Sequence, residues 1–394
     1  MLRILLFTLS IFSCTAFAER ATTILISIDG FRWDYIEKHD AKNIANLAKQ
    51  GVRATKLWPQ YPTKTFPNHL SIVTGLKPIN HGIVDNYFCD KKREECYKMG
   101  MGKVDSSWIS GIPLWNLVKM HGYKSAAYFW PESDARINGM TPDYYYHYSK
   151  KADYKNRLNE IHNWLKLPKS EKPLFVASYF SLVDSMGHGY GPDHEKTREA
   201  VQFVDGLIGD FVAALKKDKI KVNLVLVSDH GMASIEPDKA VILEELDISK
   251  EWTIKNSGTR VSLYALGEEK LEAETLIQQL REKAEGRYEV LSSERKQQLN
   301  GGESSRIGDI ILQAKAPIVF MQKGKQGYYG THGYEVTADM AAFFVASGPA
   351  FKSGVTIEQA SNLEVYPTLT HIMGLKPLNE LDSKGENLLK LVRQ

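Results

Sequence analysis

Three apolar runs that each lead to an acid restrict this chain to one broad architecture. Thr22 to Ile28 reads TTILISI, a β-branched run that ends at Asp29-Gly30. A run of that kind, without polar alternation, fits a strand buried on both faces, as in a mostly parallel sheet. Leu174 to Phe180 and Val222 to Val227 repeat the pattern, the first leading to Asp184 and the second to Asp229-His230-Gly231. Helical stretches at Asn43 to Gln50, Leu114 to His121, Tyr154 to Leu165 and His194 to Leu215 alternate with the strands. The alternation predicts an α/β fold, a doubly wound, mostly parallel sheet flanked by helices. Sites in such sheets lie beyond the carboxyl ends of the strands, which gathers Asp29, Asp184, Asp229 and His230 on one edge.

Two regions break the alternation. Asp85 to Ser107 is rich in Lys, Glu, Gly and Met and reads as an irregular loop. Residues 252–322 read as a small α+β insertion that caps the site: a strand pair near Thr253 to Leu266, a helix from Glu268 to Glu285, and short strands around Ile310 to Met321. The main sheet resumes at Ala341 to Ala346, and a closing helix follows near Leu363 to Met373.

Residues 1–18 read as a secretory signal, with Arg3, an apolar run from Ile4 to Phe12, and Ala16-Phe17-Ala18 as the cleavage site. The expectation is a periplasmic or secreted protein whose catalytic domain is 19–394. A lipid anchor through Cys14 is the alternative, in a poor sequence context for it. No other apolar run approaches the roughly 20 residues that span a bilayer. Loss of Arg3 with the signal lowers the net charge from +3 to +2, which singles out no nucleic-acid or membrane partner. Of three cysteines, Cys89 and Cys96 remain after cleavage, and in an oxidising compartment they are expected to form a disulfide. Two unrelated thiols are the other reading.

The stretch Pro62 to Gly82, PTKTFPNHLSIVTGLKPINHG, sets Thr65 before a helix expected from Pro67 to Thr74, ended by Gly75. A hydroxyl at the positive end of a helix suits a phosphate, or a group that must become an alkoxide. It equally suits a plain helix cap. Carboxylates and imidazoles at the strand ends weigh on that choice. Asp29, Asp184, His188, Asp229, His230 and His332 are six candidate ligands of the type that binds zinc, beside Gly30, Gly187, Gly231 and Gly333. Each pair alone is commonly a cap or surface pair, whereas six with one hydroxyl suffice for two metals. Two metals beside a threonine point to phosphoryl transfer through a covalent phosphothreonine. A paired-carboxylate glycosidase would not need three histidines.

These residues make the chain resemble the nucleotide pyrophosphatase/phosphodiesterases of the alkaline phosphatase superfamily. The resemblance rests on Ser27-Ile-Asp29-Gly-Phe-Arg32, Thr63-Lys-Thr65-Phe-Pro-Asn-His69, Thr74-Gly75 and His81-Gly-Ile-Val-Asp-Asn86. It continues through Tyr179, Asp184, Gly187-His188-Gly189, Ser228-Asp-His-Gly-Met232, Gly330-Thr-His-Gly-Tyr334, Ser347-Gly-Pro349 and Val365-Tyr-Pro367. It implies an alkaline phosphatase-like fold and two zinc ions per chain. Asp29, Thr65, Asp229 and His230 would surround one, and Asp184, His188 and His332 the other. Thr65 would be the nucleophile. Asn86 and the backbone amide of Phe66 would donate to a phosphate oxygen, while the rings of Phe66 and Tyr179 would sandwich a base.

The implied reaction cleaves phosphodiester or pyrophosphate bonds of nucleotides and releases a nucleoside 5′-monophosphate; no duplex nucleic acid is expected as partner. A glycerophosphocholine or lysophospholipid diesterase and a phosphomonoesterase are alternatives on the same scaffold. A nucleotide-binding protein with a decayed site is the alternative of another class. A sulfatase is disfavoured, since neither Cys-x-Pro-x-Arg nor Ser-x-Pro-x-Arg occurs. No somatomedin-like or nuclease-like region accompanies the domain, so a minimal bacterial-type form is expected, with substrate selectivity in the loop 87–103. His69 and His81 are read as structural, Lys64 as a solvated side chain, and Tyr144 to Tyr146 are left without a role.

Overall fold

Strand β1 (Thr22–Ile28) is buried along its whole length, with Ile24, Ile26 and Ile28 in one core and Leu25 in the other. Its two neighbours, Phe175–Phe180 and Val222–Val227, are buried in the same way and run parallel to it. These are the three runs that lead to acids. The computed structural model describes residues 20–266, 273–325 and 327–393; the signal at 1–18, Cys14 and the start of the helix expected from Glu268 lie outside the described residues.

Five further strands complete the main sheet. In chain order they are β2 (Val52–Trp58), β3 (Ser125–Tyr128) and β4 (Tyr144–Tyr146), then, after β5 (Phe175–Phe180) and β6 (Val222–Val227), β7 (Ala342–Ser347) and β8 (Val355–Ser361). The spatial order is β8-β2-β7-β6-β1-β5-β3-β4. Only β7 runs against its neighbours, so the sheet is mostly parallel. The tyrosine run 144–146 is therefore an edge strand.

Helices cover both faces, as the doubly wound pattern requires. The helices α1 (Lys42–Gln50), α4 (Tyr154–Leu165) and α6 (Glu195–Lys217) pack on the face of Ile24. On the opposite face lie α2 (Thr65–Thr74), α3 (Leu114–Met120) and α7 (Val365–Met373), and α5 (Leu182–Tyr190) follows β5 directly. Among the described residues no helix is long and apolar enough to cross a membrane.

The insertion contains a four-stranded antiparallel sheet in the order Thr253–Asn256, Arg260–Tyr264, Ile310–Ala314, Tyr288–Val290. Val261, Leu263, Leu280 and Leu312 fill its own core. The expected helix is seen over Ala273–Glu282, and a second one, Ser293–Asn300, was not foreseen. Phe320–Met321 leaves this sheet and pairs with Val241–Ile242.

Asp85 to Ser107 is not irregular. Tyr87–Asp90 and Glu95–Lys98 form a hairpin in which Cys89 stands opposite Cys96, and the two are disulfide-bonded. Phe88 and Tyr97 stack at 4.9 Å on its inner face, a cross-strand aromatic pair that the Lys- and Glu-rich composition concealed.

Candidate active site

The register of the sheet brings the acids together. Ile28 lies beside Phe180 and Ser27 beside Val227, so the segments that leave β1, β5 and β6 start at one level. Gly30 has φ +67°, and a Cβ there would lie 2.9 Å from the Asp184 Cα. Glycine at that position is what lets the turn after β1 approach α5. The Gly30 amide donates to Asp229 Oδ1 at 3.3 Å, and the Phe31 amide donates to Ser228 Oγ at 2.9 Å.

Three imidazoles present the same face to this cluster. Nδ1 of His188 lies 2.8 Å from the Gly330 carbonyl, Nδ1 of His230 2.9 Å from that of Gly231, and Nδ1 of His332 2.8 Å from that of Thr63. A carbonyl only accepts, so each Nδ1 carries a proton and each ring turns its Nε2 into the cluster. Those Nε2 atoms face carboxylate oxygens: His230 Nε2 is 2.9 Å from Asp229 Oδ2 and 3.3 Å from Asp29 Oδ1. His188 Nε2 and His332 Nε2 lie 3.4 and 3.7 Å from Asp184 Oδ1. Asp29 Oδ1, Asp184 Oδ1 and Asp229 Oδ2 are buried and have no hydrogen-bond partner among the described residues. Carboxylates and imidazoles converging in a buried site are a donor set for cations.

The candidate ligand atoms fall into two groups that could hold a metal ion, Asp184 with His188 and His332, and Asp29 with Asp184 and His230, each within 4.8 Å. Asp229 adjoins the second group through His230, and Asp184 stands between the two. Burial would lower the His230 imidazole, but Asp229 and Asp184 hold it above its usual value, so without a metal it pairs with Asp229 as a cation. Burial, then Asp229 and Asp184, pushes the Asp29 carboxyl well above the usual range. Burial would raise Asp229 too, but His230 and His69 together hold it well below. Burial, with His230, Lys64 and His188 nearby, pushes His332 well below the usual imidazole value, which favours the neutral, ligating form.

Thr65 is the first residue of α2, not a residue ahead of it. The helix begins before Pro67, because a proline in the first turn lacks only an amide hydrogen that no intrahelical carbonyl would accept. Lys64 occupies the cap position with extended backbone, and its own side chain makes no capping bond. The Thr65 hydroxyl instead lies 3.3 Å from His230 Nε2, inside the carboxylate and imidazole cluster. Asn86 sits over the same helix end, where its Oδ1 accepts from the Phe66 amide at 3.0 Å. The two expected phosphate donors are thus bonded to each other, and Asn86 Nδ2 is left without a hydrogen-bond partner among the described residues.

Tyr179 is buried, and its hydroxyl donates to Asp29 Oδ2 at 2.5 Å. Burial and the Asp29 charge push this phenol well above its usual range, so it keeps the proton it donates. Its ring is 9% exposed and offers a base little surface. The neighbouring aromatic with a free face is Tyr148, 49% exposed and 6.1 Å from the Tyr179 ring, and nothing in the sequence set it apart from Tyr144 to Tyr146.

Lys64 differs from expectation. Its side chain is buried, not solvated, and Nζ donates to the carbonyls of Ser257 at 2.6 Å and His332 at 2.9 Å. Burial pushes the ammonium down to about 8. Gly333, with φ +101°, leaves the room that this chain fills. His69 joins Ser27 Oγ at 2.8 Å to the Thr65 carbonyl at 2.9 Å, and His81 lies 3.0 Å from the Pro67 carbonyl. Both hold α2 in place from behind.

The profile of the type I phosphodiesterase / nucleotide pyrophosphatase family matches residues 23–335. Human ectonucleotide pyrophosphatase/phosphodiesterase family member 1 is 34% identical over 96% of this chain and 43% of its own length. The chain spans under half the length of the curated relatives it matches. Human ectonucleotide pyrophosphatase/phosphodiesterase 5 superposes with a TM-score of 0.88 at 27% identity, covering 95% of this chain and all (100%) of that one. An inactive threonine-to-alanine form of murine ectonucleotide pyrophosphatase/phosphodiesterase 5, in complex with AMP, superposes with a TM-score of 0.87 at 26% identity, covering 95% of this chain and 100% of that one.

Proposed function

The chain belongs to the type I phosphodiesterase / nucleotide pyrophosphatase family, and from that footing we propose that it hydrolyses phosphodiester or pyrophosphate bonds of nucleotides and their derivatives, releasing a nucleoside 5′-monophosphate through a phosphothreonine at Thr65. The observation that carries this reading is the convergence of three inward-turned Nε2 atoms and three unpartnered carboxylate oxygens in one cluster, with a threonine hydroxyl at a helix amino terminus against its His230. AMP bound to the murine relative agrees with a nucleotide substrate.

Two zinc ions fit that donor set. Asp184, His188 and His332 would hold one, and Asp29, Asp229, His230 and Thr65 the other. When bound, zinc supplies the positive charge that favours the ionised threonine hydroxyl and neutralises the phosphoryl oxygens. Thr65 Oγ1 forms the bond to phosphorus while the leaving oxygen departs with its electron pair. Water then displaces Oγ1 from the same phosphorus and regenerates the hydroxyl. The Asn86 Nδ2 donates to a non-bridging oxygen throughout, and the amino terminus of α2 favours the negative charge there. The Tyr179 hydroxyl orients Asp29. The rings of Phe66 and Tyr148 border the site and would receive the base. Export with cleavage after residue 18 completes the reading and matches the disulfide.

The test joins metal analysis to a substrate comparison. Protein stripped by a chelator and reloaded with zinc should regain activity at about two ions per chain. It should turn over an aryl ester of a nucleoside monophosphate much faster than the aryl phosphate monoester. Full activity without metal, or faster turnover of the monoester, would contradict the reading.

A further inference from the structure

A loop of the insertion, residues 256–260, is wedged behind the two halves of the site. The Ser257 carbonyl accepts from Lys64 Nζ at 2.6 Å, and the Ser257 hydroxyl lies 3.2 Å from Asp85 Oδ2. Asp85 Oδ1 in turn accepts from the Asn86 amide at 2.7 Å, and Asn86 Oδ1 accepts from the Phe66 amide at 3.0 Å. Phe66 is two residues from Lys64, so these contacts close a ring that starts and ends on the amino terminus of α2. Arg260, 1% exposed, sets its Nε 3.8 Å from Asp85 Oδ2, and the Thr259 hydroxyl reaches the His332 carbonyl at 3.3 Å.

A carboxylate as buried as Asp85 is costly, and here it spends one oxygen on the Asn86 amide and the other on Ser257 and Arg260 of the insertion, tying the segment that carries Asn86 to that loop. A closed ring fixes separations that an open chain of contacts leaves soft. The separation fixed here is the one between the Thr65 hydroxyl and Asn86 Nδ2. We propose that Asp85 is a positioning residue that aims Asn86 at the phosphoryl group, with Ser257 of the insertion as its brace. The proposal rests on the phosphodiesterase reading and makes the insertion a support for the site instead of a mere cover.

The test is a double-mutant cycle in the full, zinc-loaded chain with Asp85→Ala, Ser257→Ala and Asn86→Ala. It is read as kcat and KM on an aryl nucleotide diester and as affinity for AMP. Asp85→Ala and Asn86→Ala should each lower kcat by about tenfold to a hundredfold at unchanged zinc content, because small misplacements of a transition-state donor cost that much. In the Asn86→Ala background, Asp85→Ala should add less than about twofold, and AMP affinity should show the same lack of additivity. If Asp85→Ala does not fold, Ser257→Ala paired with Asn86→Ala carries the same cycle. Losses that multiply independently, or single variants as active as the parent, overturn the proposal. A parent chain inactive on nucleotide diesters would instead contradict the functional reading, and the AMP cycle would still decide on Asp85.

Discussion

Threonine 65 makes no capping bond, although its place at the start of α2 left that reading open in the sequence. Thr65→Ala should therefore cost under about 1 kcal/mol of stability, while turnover of the zinc-loaded variant falls by several orders of magnitude. Thermal unfolding and kcat measured on one preparation separate the two. Tyr179→Phe deletes only the donor to Asp29 Oδ2, and loss of such an outer partner should weaken zinc binding by roughly tenfold to a hundredfold, read by competition with a chelator. His81 gives a pH signature. Burial pushes it from the model-compound value of 6.5 down to about 3, so between those values the unfolded chain binds a proton that the folded one refuses. Stability must then rise with pH across that window and be lost on acidification, by about 1.4 kcal/mol per pH unit from this residue. Urea unfolding from pH 6 to 4 should show a slope shallower by one proton in His81→Asn. Lys64 was illegible in the sequence because spacing cannot reveal that Gly333, far along the chain, vacates the space its side chain enters.

At the scale of elements, the strands that end at acids were legible because β1, β5 and β6 are covered on both faces and their sequences show it. The strands β2 and β8 were not, since partly exposed strands mix Lys, Arg, Glu and Gln among apolar residues, and the alanines of β3 carry little pattern. The hairpin at 87–98 was hidden by its charged outer face, although its disulfide was expected from cysteine count and compartment. The bond links directly opposed residues only seven apart. Replacing both cysteines by serine should cost no more than about 2.5 kcal/mol and loosen the hairpin locally, as hydrogen exchange of Phe88 to Tyr97 would show. A globally unfolded variant would contradict that. Helix α1 borrows its cap from α6: Asp205 accepts from the Asn43 amide at 3.0 Å and the Ile44 amide at 2.8 Å, because Ala41 cannot cap. Asp205→Ala should cost about 1–3 kcal/mol by urea titration and leave kcat unchanged.

Across the whole molecule, the sheet register does what no local motif can. It gathers candidate ligands from positions 29, 184, 188, 229, 230 and 332 into one cluster, with the Thr65 hydroxyl against it at His230. The strand-end rule made that convergence legible in the sequence; the uniform Nδ1 contacts to backbone carbonyls, which give the imidazoles their ligating face, depend on loops that only the folded chain brings near. The proposed reaction consists of two successive displacements at phosphorus, one by Thr65 and one by water. Each in-line displacement inverts the centre, so the pair restores it. Hydrolysis of a nucleotide diester with a chiral thiophosphate in isotopically labelled water reads the outcome directly. The account predicts net retention at phosphorus; net inversion would show that water attacks in a single step and would remove Thr65 as the nucleophile.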